Sequence, residues 1–150
     1  MVILINTQTS KTTIIPLWFW IVSALLLLWN LMGVMAFVQQ MMITAEQIAL
    51  MPPDEQALYD GMPIWANAAF ACAVFGGALG CVLLLLKKSF ALPVLSVSLL
   101  AVIIQMFHSL FIMDSVAVYG PGAMVMPIMV ILIAVYLVFL AKHAKTKQWI

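Results

Sequence analysis

The sequence predicts an all-α polytopic membrane protein: four transmembrane helices in a bundle, with short interfacial helices in the first periplasmic loop. Three observations carry this. The 150-residue chain is 67% apolar and 7% charged, with mean hydropathy +1.21; a soluble domain is about half apolar and about a quarter charged. Its apolar residues form four continuous runs, each close to the roughly 20 residues that cross about 30 Å of hydrocarbon. Continuous runs of that length are helices, because barrel strands would alternate. Finally, the charges segregate. The lysines precede the first run (Lys11), lie between the second and third (Lys87, Lys88), or follow the fourth (Lys142, Lys145, Lys147). Glu46, Asp54, Glu55 and Asp60 lie between the first and second, and Asp114 comes just past the third. Lysine in short loops resists translocation and marks the cytoplasmic side, so both termini are expected in the cytoplasm of a bacterial inner membrane.

The first span is expected over 16–38, with Pro16 at its first turn and Trp18 and Trp20 at the cytoplasmic interface. Val34-Met35-Ala36 is a passable cleavage pattern. The apolar run is long and only one lysine leads it, so a retained helix is expected rather than a signal peptide. The loop over 39–62 holds Thr44-Ala45-Glu46-Gln47, a capping-box pattern, and Pro52-Pro53 opens a second short helix that Gly61 would end. The second span covers 63–86 and is stopped by Lys87-Lys88. The third covers 90–113, with Pro93 in its first turn, where the missing N–H costs little. The turn Tyr119-Gly120-Pro121-Gly122 leads to the fourth span, 124–141, expected to be the shortest. Together these form a single domain over 1–150.

The second span carries two small-residue stripes at i+4 spacing, Ala68-Cys72-Gly76-Gly80 and Ala69-Ala73-Gly77-Cys81. Such faces let helix backbones approach closely, so Ala69, Ala73, Gly76, Gly77 and Gly80 are the expected packing contacts. The partner could be within the chain or in a second copy. Cys72 and Cys81 are nine residues apart, which puts them on nearly opposite helix faces and excludes a bond between them.

Arginine is absent, which removes the preferred bidentate ligand for carboxylate and phosphate. No basic patch suggests nucleic acid. No span contains an acid or a lysine, so an ion-coupled carrier lacks its usual intramembrane group. Carboxylates, histidines and cysteines never gather at ligand spacing, so no metal and no enzyme active site is expected. His108 would need a second axial ligand to hold haem, and His143 sits in the cytoplasmic tail; no cofactor is expected.

The uncharged polar residues are not scattered. At 1.5 Å per residue, Asn30 and Gln105 lie about 12 Å from the outer ends of their helices, His108 about 8 Å and Asn67 about 6 Å. Gln105 and His108 share a face at i, i+3, with Ser98 on the same stripe. Trp29 and Trp65 flank them. These side chains are either interhelical glue or a pocket for a neutral polar ligand, with Asn30, Asn67, Gln105, His108, Trp29 and Trp65 as its candidate residues.

The stretches Leu28-Trp29-Asn30-Leu31-Met32-Gly33 and Pro63-Ile64-Trp65-Ala66-Asn67, with Ala73-Val74-Phe75-Gly76-Gly77-Ala78-Leu79-Gly80, resemble a group of small bacterial four-helix membrane proteins often labelled "sugar transporter". The likeness covers most of the chain. It implies the architecture and the inner-membrane compartment, and less directly transport; it supplies no site residues. The leading expectation is a multi-pass inner-membrane protein, in contact with the lipid bilayer, that binds or moves a small neutral polar solute as a homo-oligomer. Two other readings stay open: a non-transporting accessory or assembly subunit of a membrane complex, and a redox or quinone-linked membrane protein.

Overall fold

A computed structural model describes residues 14–60 and 62–150; Lys11 and Gly61 lie outside them. The described chain is helical throughout. α1 (Leu17–Met42) is followed by two short helices, α2 (Ala45–Ala49) and α3 (Pro53–Asp60), then by α4 (Ile64–Leu85). α5 (Ala91–Phe107) ends in a π-helical turn, His108–Ile112. A short α6 (Ser115–Tyr119) and a 3₁₀ turn (Pro121–Met124) lead into α7 (Val125–Thr146). Four of these segments are long and apolar enough to cross a membrane: Leu17–Met42, Ile64–Leu85, Ala91–Ile112 and Pro121–Thr146. Their large apolar side chains are exposed on the outside of the bundle, as on Leu25, Leu100 and Leu132. That is the pattern of helices solvated by lipid rather than water.

Two boundaries differ from the sequence reading. α1 runs on to Met42 rather than stopping near 38, because Gln39 and Gln40 are good helix formers. The fourth span is not the shortest. With its 3₁₀ lead-in it matches the 26 residues of the first, because the helix continues past the hydrocarbon through Lys142, His143 and Lys145. Positive charge in the last helical turn complements the dipole there. The loop helices match the sequence cues. Gln47 N–H donates to Thr44 Oγ1 at 3.3 Å, and Thr44 N–H donates to Gln47 Oε1 at 3.0 Å, which closes a capping box.

α4 is the central helix. It packs against α5 on one side and α1 on the other, while α5 also packs against α7. The partners of the small-residue stripes are therefore inside the chain. A side chain at Gly80 would collide with Leu95, one at Gly77 with the Asn30 amide, and one at Gly76 would come 3.1 Å from Ser98 Cβ. Ala73 is buried, and its carbonyl accepts from Ser98 Oγ at 2.7 Å. Ala69 is half-buried. Cys81 is buried and Cys72 exposed, on opposite faces.

The main core lies at the lysine-bearing end, where Phe19, Cys81, Leu84, Leu95, Leu140, Ala141 and Ala144 are buried together. Two tight closures seal it. After α4, Lys87 adopts a left-handed conformation, φ 55°, a position more often held by glycine. That turn carries its ammonium over the Trp20 ring, 5.4 Å from the centroid. After α7, Gln148 does the same, φ 57°, and the Trp149 N–H donates to Ala144 O at 2.9 Å. The turn folds the Trp149 ring back against Phe19 and Trp18, at 5.4 and 5.7 Å between centroids. Lys87 and Trp149 thus meet the start of α1, so these lysine-bearing turns gather at one end of the bundle. Beyond that end α1 and α7 make almost no close backbone approach.

Candidate ligand-binding site

At the opposite, acid-bearing end, the start of α4 faces the end of α5. Ala66, Asn67 and Phe70 stand across from Gln105, His108 and Ser109, around a cavity of about 160 Å³. The last turns of α1 contribute Gln40. The loop elements cover it, with Leu58, Tyr59 and Met62 on one side and Ser115 and Tyr119 on the other.

Polar partners line much of the wall. Gln40 Nε2 donates to Asn67 Oδ1 at 3.3 Å and to the Met62 thioether at 3.0 Å. The Ser109 and Ser115 hydroxyls lie 3.4 Å apart. His108 is 3% exposed, and the Trp65 ring meets it edge-on, 4.9 Å between centroids at 87°. That contact holds the imidazole in the cavity wall. Neither Gln105 nor His108 makes a side-chain hydrogen bond among the described residues; their polar atoms open onto the cavity. A half-buried amide and a buried imidazole with unused hydrogen-bonding capacity facing a cavity offer partners to a ligand or water there. Burial, then the Glu55 charge and Tyr59, push the Tyr119 phenol up, so at neutral pH it keeps its proton at the cavity rim.

Asn30 stands elsewhere, against Gly77, where its Nδ2 donates to Leu26 O at 2.8 Å and to Cys81 Sγ at 3.7 Å. With Trp29 it lines a second cavity of about 380 Å³, set deeper between α1, α4, α5 and α7. Apart from Asn30, Ser98 and Gln105, that lining is dominated by apolar side chains such as Val102, Val130, Ala134 and Leu137. Phe70 and Gln105 line both cavities, which therefore adjoin. The structure thus gathers Asn67, Gln105 and His108 in one place, with Trp65 behind His108, and assigns Asn30 and Trp29 to the other. Gln105 alone of the candidates belongs to both. Depth reckoned from a helix end at 38 sets Asn30 level with Gln105, whereas α1 runs on to Met42 and Asn30 lies deeper; rotation about each axis is open as well.

Gln40, Ser109, Ser115, Tyr59 and Tyr119 are site residues that the sequence reading missed. Gln40 had a usable signal, since a helix prolonged by one turn carries it to the depth of Asn67. Among the described residues no three His, Cys, Asp or Glu side chains gather as metal ligands. No family model, curated protein or solved structure matches the chain.

Proposed function

We propose that this is a multi-pass inner-membrane protein, with cytoplasmic termini, that binds a small neutral polar solute at the Gln105–His108 cavity and assists its movement across the membrane as an oligomer. The observation that carries the reading is the pair of open hydrogen-bonding groups, Gln105 and buried His108, in a cavity whose lining, among the described residues, includes no acid, lysine or arginine. Such a wall can recognise hydroxyl or amide groups but offers no counter-charge to an ion. Asn67 is already bound to Gln40, which leaves it preorganised to present its remaining amide hydrogens.

The test is equilibrium dialysis of the protein in lipid nanodiscs against radiolabelled methyl glucoside, glycerol and inositol. At least one should bind saturably. Gln105→Ala and His108→Ala should each weaken it roughly 3- to 10-fold, the loss of one hydrogen bond, without a matching fall in melting temperature. Absence of saturable binding for all three probes would overturn the reading.

The orientation is tested separately. A cysteine at Glu55 should react with a membrane-impermeant maleimide in intact cells, and one at Lys145 only after permeabilisation. Labelling of both in intact cells would overturn the topology. The native thiols interfere little, because Cys72 and Cys81 lie within the second span.

A further inference from the structure

We propose that the ligand is an amphiphile, with its uncharged hydroxylated head in the Gln105–His108 cavity and one acyl or prenyl chain in the deeper cavity between α1 and α7. This rests on the function proposed above and names the ligand class. Size is the first argument. At about 160 Å³ the outer cavity is smaller than the usual ligand pocket, which spans about 300–1,000 Å³. It has room for a head group, whereas the inner cavity, at about 380 Å³, falls within that range. Adjacency is the second, since Phe70 and Gln105 line both.

Chemistry decides what fills the inner part. Its two deep polar residues are already engaged: Ser98 donates to Ala73 O, and the Asn30 amide donates to Leu26 O and Cys81 Sγ. A sugar or a file of water needs several polar partners, and here it would find few. A hydrocarbon chain needs none. The geometry also matches a lipid's approach. α1 and α7 make almost no close backbone approach, and the inner cavity lies between them, lined by Gly33 on one and Val130 on the other, which leaves a chain a lateral way in. A head at the acid-bearing end with a chain pointing inward is the orientation a lipid of that leaflet already has. The occupant is uncharged because, among the described residues, neither lining contains an acid, a lysine or an arginine.

The probe is a long-chain monoacylglycerol with a photoreactive diazirine in mid-chain, irradiated with the protein in nanodiscs and mapped by mass spectrometry. The expected adducts fall on cavity residues such as Val102, Val130 and Ala134. Excess unlabelled monoacylglycerol should compete them away at least about tenfold better than lysophosphatidic acid of the same chain, whose anionic head has no counter-charge here. Val130→Trp should block the adducts while leaving polyol binding at Gln105 unchanged; Ala134→Phe serves if that variant does not fold. Adducts confined to lipid-facing Leu25, Leu100 and Leu132 would overturn the proposal, as would equal competition by both lipids. So would exclusion of the probe by a second copy of the chain seated in the cavity. In each of those cases saturable polyol binding would still stand, which separates this failure from failure of the polar site itself.

Discussion

Gly80→Leu is expected to lower the melting temperature of the purified protein by roughly 5–10 °C, or to prevent its accumulation. Even a Cβ at Gly80 would run into the body of the Leu95 side chain, not merely its tip. Leu95 is 2% exposed and belongs to the main core, so it can yield only by giving up that packing for the inner cavity it also lines. Over-packing of this kind costs about 1–3 kcal/mol, sometimes more, and in a chain of this size each kcal/mol shifts the midpoint by roughly 2–4 °C. Helices in lipid are held largely by close packing, so α4 and α5 cannot separate without losing what joins them. Gly77→Leu should act in the same direction but less strongly, by driving the Asn30 amide away from Leu26 O and Cys81 Sγ. Gly122→Ala is the control, since nothing lies within 4 Å of the added carbon. Tryptophan-monitored melting in detergent decides it: a Gly80→Leu midpoint equal to that of Gly122→Ala would overturn the packing account.

Phe19→Ala is expected to cost about 3–5 kcal/mol, the usual penalty for emptying a fully buried aromatic site. Phe19 is 0% exposed and sits edge-on to Trp18, Trp20 and Trp149, with centroids at 6.3, 6.0 and 5.4 Å. It fastens the first helix to the segment that follows the last one. Its loss should lower the midpoint by roughly 10 °C and shift tryptophan emission to the red, because three indoles lose their shared neighbour. Trp149→Ala should give a smaller effect of the same sign. Wild-type melting and emission in Phe19→Ala would show that this end of the bundle is held by something else.

Much of this fold is written in composition and spacing. Lipid admits only helices for apolar runs of this length, so each run had to be one. The pattern Thr44 to Gln47 sufficed for a short helix, and glycines at i+4 marked α4 as the closely packed element. What the pattern omits is azimuth. Asn30 matches Gln105 in depth only if α1 ends near 38; the helix runs on to Met42, which sets Asn30 deeper, against Gly77, while Asn67 and His108 share the other cavity. A lipid-facing helix that is apolar all the way round offers no stripe from which to read its rotation. Gln40 is obscured for a different reason: a polar pair after an apolar run reads as the end of the span, whereas glutamine continues a helix readily.

The π turn at His108–Ile112 re-phases the chain. Its Met113 N–H donates to His108 O at 3.0 Å, five residues back instead of four. In an uninterrupted α-helix Gln105, His108, Ser109 and Ile112 would follow one face. With one residue absorbed in the wider turn, it is Met113 that lines the cavity after Gln105, His108 and Ser109, while Ile112 is 56% exposed. A chain shortened by one residue between Phe107 and Met113 would need no wider turn: an ordinary α pitch would carry the thioether and everything beyond it to the same positions. If the segment kept its length but wound as α, everything beyond it would turn by about 100°, Ser115 and Tyr119 would leave the rim, and the Ile112 side chain would stand where the thioether now does. In a set of related chains, a one-residue difference in length here is therefore compatible with the same cavity, provided the turn changes with it.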